Sequence, residues 1–552
     1  MFNKENIQRI LFVLLTTLTV FILSRSHYHI PSYGKYRHAT SDSVLMLSIQ
    51  SANEVKSSKG ELHRYRDARL DQRYEVESKI FNVMTSFSKK TGIDKYKVSK
   101  VFASSIWVST VLIISLIVLH FFGPTLFGFM SVVTLSQSAY FNWLRYETYV
   151  PKMFGFMFFP VSFYYFVKLN KSKTDHLLAF LCITIALYLY PVSVVYYLPL
   201  LYGTLILLYL IHNFKAPFKN LRELLSQTLF VIYSMVVFLC FKKPGGLNKV
   251  VEKNIAELVY RAHVFNEDVF YEILSYHAPY LVITVVIVLF WFLTRKKESK
   301  NYFLENRVVC FGILFYVASL IYSLVMHYFA DRVGFIRLTW LWRSYYYSFF
   351  VIVFSWLVFL KRKDLEDRKQ KMIVAIVIPI LIILAMTKWR FTPATTQIKK
   401  SLSDYKGYFL DKVKVTEQDR EYQKIKPVIE FVNKTPREFT YLMPRRNTYS
   451  WIDAIFEFET NRYAYFGSLE RTFFVGESEE TYEYAEKILI LDELYALSPK
   501  NQVFIDKLKD FMNKDKISHA IISKQDINDL DLALYNELIE YEDENWVILK
   551  LN

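Results

Sequence analysis

Apolar windows long enough to cross a bilayer as helices recur along the first 390 positions of this chain, separated by polar and often basic turns. The pattern predicts spans near 7–24, 101–120, 125–141, 152–168, 177–190, 194–211, 226–241, 280–294, 308–328, 345–360 and 372–387. Leu189-Tyr190-Pro191 interrupts one long apolar run, which reads either as two short spans or as one kinked helix. Beyond residue 390 the pattern changes. Helical periodicity near 418–433 and 502–513 mixes with short apolar strands at Phe439–Met443, Ser518–Ser523 and Trp546–Leu551. The expected fold is therefore an α-helical polytopic membrane protein of about 11 transmembrane helices (residues 1–390) with a C-terminal extracytoplasmic α/β domain (residues 391–552).

Basic residues orient the spans. With eleven of them, the turns carrying Lys168, Lys171 and Lys173, then Lys215, Lys219 and Arg222, then Arg295 to Lys300, then Lys361 to Lys371 share one side with Lys4 and Arg9. Merging the pair at Pro191 would set the first two clusters opposite the last two, so the charges favour eleven and name that side the cytoplasm. The run Ile10–Leu23 has the length of a signal sequence, but Ser24-Arg25-Ser26-His27 offers no small-x-small cleavage site, so it reads as an uncleaved anchor. The large external loop 25–100, the external loop 242–279, the turns at 142–151 and 329–344 and the tail then face outward. In the first loop, Val44–Ala52 reads as a short helix. Ile80, Val83, Met84 and Phe87 form a helical stripe closed by Thr91-Gly92, and both helices suit the membrane surface.

Composition narrows the class. With 53% hydrophobic and 18% aromatic residues among 552, the chain is not an ordinary soluble enzyme. Its net charge of +16 is uneven: 46 Lys and Arg against 23 Asp and Glu up to residue 390 give +23, and 22 against 29 beyond it give −7. A basic body beside anionic lipid or phosphate accounts for this, and no nucleic-acid partner is expected. Cys182, Cys240 and Cys310 lie in or beside apolar runs and imply neither disulfides nor zinc. His27, His29, His38 and His63 match no metal-ligand spacing, so no cofactor is assigned, and a divalent metal has no motif behind it. The spans hold almost no ionisable residues, with His120 and His327 at span ends, which counts against ion-coupled transport and leaves a facilitator open.

Candidate chemistry gathers at the outer surface. Asp42, in Thr40-Ser41-Asp42-Ser43, reads as a helix N-cap or as a general base near the bilayer. The run Arg64, Arg66, Asp67, Arg69, Asp71, Arg73 is a solvated helix face, or a site in which Asp67 or Asp71 adds a carboxylate and the arginines grip phosphate. Arg145, Glu147 and Lys152 stand among Trp143, Tyr146 and Tyr149, residues that also suit an interfacial aromatic belt. Arg332, Arg337 and Arg343 crowd an outer turn that the orientation rule leaves without need of positive charge, which points to an anionic ligand. Lys242-Lys243-Pro244-Gly245-Gly246 lacks the spacing of a phosphate loop.

Together these features resemble the GT-C superfamily of integral-membrane glycosyltransferases. The resemblance is carried by Asp42 before the 44–52 helix, the Asp67 and Asp71 stretch, Val150-Pro151-Lys152-Met153-Phe154, Leu189-Tyr190-Pro191, and in the tail Ile429 to Pro436, Tyr441 to Pro444 and Arg462. These segments are similar to bacterial members dependent on polyprenyl-phosphate sugars. The paired Asp-Glu of protein mannosyltransferases and the Trp-Trp-Asp motif of oligosaccharyltransferases are missing, and Lys152 stands where arginine is expected. The resemblance implies transfer of a hexosyl or pentosyl group at the outer membrane face, from a lipid-linked sugar donor to a glycan or lipid acceptor. Asp42 would be the base, with Asp67, Asp71 and Glu147 assisting, and Arg145, Lys152, Arg337 and Arg343 would bind the donor phosphate. A polysaccharide or lipid transporter or flippase, and a non-enzymatic envelope scaffold, are the alternatives.

Overall fold

The structure is a computed structural model. It describes residues 4–30, 35–36, 75–144, 147–150, 152–168, 171–213, 221–241, 267–294, 307–329, 341–361, 393–410, 415–443, 452–462, 464–465, 479–497, 501–528 and 530–550. The helix expected at 44–52 and the span expected at 372–387 lie outside these residues.

The membrane part is built from α1 (Lys4–Ser24), α2 (Glu75–Thr91), α3 (Lys95–Phe122), α4 (Leu126–Ser136), α5 (Lys152–Val167), α6 (Lys173–Leu189), α7 (Pro191–Asn213), α8 (Leu221–Phe241), α9 (Glu267–Thr294), α10 (Arg307–Tyr328) and α11 (Tyr345–Leu360). Five described helices are long and apolar enough to span by themselves, namely α1, α3, α7, α8 and α10, and shorter apolar helices accompany them. The run at 125–141 is not one helix: α4 stops at Ser136, and a separate 3-10 turn covers Ala139–Trp143. The break at Pro191 is real. Tyr190 leaves the helical conformation, and α7 turns back so that its Tyr202 meets Thr228 of α8, while Thr184 of α6 meets Tyr233 farther along α8. Proline lacks the N–H that would continue α6, and its fixed φ suits the first position of α7.

Local signals set other helix ends. Asp94 caps α3 by accepting from the amides of Tyr96 and Lys97, and Ser172 with Asp175 forms a capping box on α6. Gly92 ends α2 with a φ of 69°, a conformation that costs glycine nothing. The stripe expected on this helix is displaced: Phe81, Met84, Thr85 and Ser88 pack inward, while Val83 and Phe87 are exposed. The helix periodicity was legible, but the buried face lies about one residue round from the predicted one.

α11 is buried on nearly every side, and its Tyr347, Phe350 and Phe354 interlock with Phe156, Phe159 and Phe163 of α5. The peripheral helices show the reverse. Leu11, Leu14, Leu15 and Leu18 on α1 and Leu229, Met235 and Leu239 on α8 are exposed, the apolar surface a lipid-facing helix presents.

The two ends of the bundle differ. At one, Lys168 pairs with Asp175 (2.8 Å), Arg307 donates to the carbonyl of Phe166 (3.3 Å) and Lys361 donates to that of Phe121. At the other, α12 (Pro393–Phe409) returns to α1, where Ser401 bonds His27 (2.7 Å) and Tyr405 bonds Ser26. Residues 361 and 401 therefore lie at opposite ends of the bundle.

The tail contains α13 (Glu417–Val432), β1 (Tyr441–Leu442), α14 (Ile452–Thr460), β2 (Ala464–Tyr465), α15 (Glu479–Tyr495), α16 (Gln502–Lys514), β3 (His519–Ser523), β4 (Ile539–Glu542) and β5 (Trp546–Lys550). The strands form one sheet in the order β2-β1-β3-β5-β4, parallel through β3 and antiparallel beyond it. Both faces are covered. Leu442, Ile522, Val547 and Leu549 pack under α15 and α16, while Tyr441, Ile521, Trp546 and Ile548 pack under α13 and α14. The second core also takes in Tyr36 and Tyr96, residues that precede or begin α3.

Candidate active site

At the end of the bundle that meets the tail, α1 runs into a 3-10 turn, Ser26–His29, which brings Arg25 under the segment leading into α5. Arg25 is fully buried. Its guanidinium donates to Ser104 Oγ (2.9 Å) and to the carbonyls of Glu147 (3.1 Å) and Leu144 (3.4 Å), and it lies over the Tyr28 ring. Glu147 is 2% exposed, and one of its carboxylate oxygens accepts from Lys100 Nζ at 2.7 Å. Its other oxygen, Oε2, is buried, and the buried Tyr96 hydroxyl interacts with the same carboxylate. Next to them, His29 Nε2 pairs with Ser104 Oγ at 2.8 Å. Desolvation, then the charges of Arg25 and Lys100, push the His29 imidazole down to about 4, so it is neutral at physiological pH.

A second group begins at Lys152. Lys152, at the start of α5, and Arg343, in the 3-10 turn Leu341–Ser344 before α11, line one narrow cleft with Phe156, Tyr190 and Tyr196. Its free volume is about 10 Å³, room for about one water molecule. Below it, Tyr347 stacks on Phe156 with ring centroids 4.5 Å apart, and the Tyr347 hydroxyl is buried with no partner among the described residues. Gly155 lets α5 approach α7 here, because a Cβ at this position would collide with the side chain of Ser193.

Of the candidates named from sequence, the structure brings Lys152 and Arg343 to one cleft and buries Glu147 beside the neighbouring cluster. Asp42, Asp67, Asp71, Arg145 and Arg337 lie outside the described residues.

Two solved structures are similar to the chain end to end. Both are crystal structures of ArnT from Cupriavidus metallidurans. The one bound to undecaprenyl phosphate has a TM-score of 0.48 at 10% identity, covering 98% of each chain. The apo structure has a TM-score of 0.46 at 11% identity, covering 98% of this chain and 97% of that one. No family model matches the chain, and no curated protein does.

Sequence reasoning missed Arg25 and Lys100, and weighed His29 only as a metal ligand. Arg25 follows the first span and reads there only as an obstacle to signal cleavage, and Lys100 sits in a run of lysines (Lys95, Lys97, Lys100) that resembles a solvated helix start. His277 was also missed. α9 starts thirteen residues ahead of the predicted span at 280, inside the loop expected to be external, and this carries His277 into the bundle against Tyr316, Tyr345 and Phe349. The premise that histidines occur only at span ends is corrected accordingly. The acidic and aromatic stretch before residue 280, with Glu267, Asp268 and Glu272, hid the start of that helix.

Proposed function

We propose that the protein is a glycosyltransferase of the inner (plasma) membrane that moves a hexosyl or pentosyl group from a polyprenyl-phosphate donor to an acceptor hydroxyl at the outer face. The carrying observation is the convergence of Lys152 and Arg343, distant in sequence, on one aromatic-lined cleft at the end of the bundle next to the tail. A phosphate in the interfacial zone needs cations of this kind, and arginine offers a fork of donors matched to its oxygens. In the reaction, the acceptor oxygen bonds to the anomeric carbon as the bond from that carbon to the phosphate oxygen breaks. The base takes the hydroxyl proton, and the polyprenyl phosphate leaves with the bonding pair.

In this reading Lys152 and Arg343, completed by Arg145 and Arg337, neutralise the charge that grows on the leaving phosphate. Asp42 is the base. Glu147 has one oxygen engaged by Lys100 and is closed from solvent, so its part is to hold the 147–152 segment, while Asp67 and Asp71 orient the acceptor. The end carrying Lys168, Lys171, Arg307 and Lys361 faces the cytoplasm, and the tail lies outside.

Binding of a radiolabelled polyprenyl-phosphate sugar to purified protein tests the phosphate site. Arg343→Ala and Lys152→Ala each weaken it at least tenfold while the protein stays folded, and parental affinity in both variants would refute the assignment. Asp42→Asn retains donor binding and lowers transfer by about a hundredfold or more, the scale of losing a general base.

A further inference from the structure

Between α1 and α3, in the half of the bundle nearest the tail, lies a groove of about 440 Å³ whose lining shares no residue with the Lys152–Arg343 cleft. Phe21, Val101 and Val108 form its apolar wall, and Ser104, Ser105 and Ser109 run beside them to His29. From Val101 to Ser109 the helix climbs about 12 Å at 1.5 Å per residue. Val101 is 57% exposed, and Leu18 and Ile22 of α1 are exposed nearby, so the groove opens on the lipid-facing surface of the bundle. Such a surface presents mostly aliphatic side chains; the Ser105 hydroxyl is satisfied by the Val101 carbonyl of its own helix (3.0 Å), whereas the His29 imidazole at the polar end of the groove is an uncommon group there.

The polar end of the groove carries no formal charge on its lining. Ser104 Oγ accepts from Arg25 and pairs with His29, and the guanidinium itself is spent on buried partners behind that pair. The lining itself offers a phosphate no cation: the Arg25 guanidinium stands behind Ser104 and is engaged by it and by two buried carbonyls. A sugar or polyol would find donors and acceptors of its own kind, with apolar wall for the attached chain. We propose that this groove binds the acceptor as a lipid with an uncharged, hydroxylated headgroup, its chain along Phe21, Val101 and Val108 and its hydroxyls toward Ser104 and His29. The role as acceptor rests on the glycosyl-transfer reading; the binding of such a lipid does not.

The full-length protein in nanodiscs tests this with three diazirine-tagged probes: monoglucosyl diacylglycerol, phosphatidylglycerol and phosphatidylcholine. The expected result is photolabelling of the 101–109 segment by the glucosyl lipid at least fivefold above the other two. Ser105→Trp, which fills the groove from its exposed side, should abolish that preference, and Ser105→Ala should keep it. Equal labelling by all three probes, preference for the anionic lipid, or labelling indifferent to Ser105→Trp would overturn the site. Donor binding is measured on the same preparations and is unchanged by Ser105→Trp, so a failure of the donor reading shows separately. Selective labelling by a donor-binding protein that never glycosylates the probe lipid or other neutral glycolipids would overturn the acceptor role.

Discussion

Arg25 shows what a single residue does here that its sequence neighbourhood does not announce. Buried against the carbonyls of Leu144 and Glu147, it joins α1, α3 and the chain ahead of α5 through one guanidinium. Arg25→Leu would leave Ser104 and two carbonyls short of a donor, each worth about 1–3 kcal/mol when stranded in a buried place. Arg25→Lys should rescue little, since one ammonium cannot reproduce the fork. Thermal unfolding of the detergent-solubilised protein checks both, and a lysine variant as stable as the parent would show that charge alone suffices. In the tail, buried His519 bonds Ser518 and Glu540, and burial draws its imidazole below the ordinary value despite that carboxylate. A folded-state value below the unfolded one means the stability is fully present above the unfolded value of about 6.5 and is lost as pH falls toward the folded one. Glu540, held low by Lys550 and His519, adds a loss of the same sign at lower pH, below the usual glutamate range. The protection factors of the β3 and β5 amides, taken relative to the intrinsic exchange rate at each pH, should therefore fall between pH 7 and 5.5, and His519→Gln should flatten that dependence.

Elements were legible where their pattern is local. The spans of α1, α5, α10 and α11 and the tail elements α13, α16, β3 and β5 follow from apolar periodicity and end signals, and the ends of each lie within a few residues of the expectation. α12, α14 and α15 were not foreseen, because their moderate amphipathicity carries no sharper signal than the loops around them. The cleft was legible only in part: Lys152 and Arg343 stand out as charges in the wrong place, but nothing in sequence says that they meet. What brings them together is the packing of α5 on α7, and Gly155 is the contact that permits it. Gly155→Leu must force the two helices apart, at an overpacking cost of about 1–3 kcal/mol, and should reduce donor binding more than tenfold. Gly203, farther along α7, has open space within 4 Å of where a Cβ would stand, so Gly203→Leu should leave binding unchanged. Similar losses in both variants would mean that the effect comes from helix propensity rather than from the approach at Ser193.

At the scale of the whole molecule, the membrane part and the tail are joined by specific contacts. Lys35 bridges Asp94 (3.2 Å) and Glu459 (2.8 Å), Tyr36 donates to Glu459, and Lys95 donates to Asn461 (2.9 Å). If the basic end is cytoplasmic, a reporter fused after residue 552 is active only outside; cytoplasmic activity would invert the arrangement. The core beneath α13 and α14 is finished by Tyr36 and Tyr96, residues made long before the rest of it. A later part of the chain is thus completed by an earlier one, and a tail produced alone from residue 391 would carry a gap where two aromatic rings belong. During biogenesis the early loop must wait, its tyrosines uncovered at the membrane surface, until the remaining spans have been inserted. That makes the interval before the tail arrives the stage at which this protein is most open to proteolysis and to wrong association.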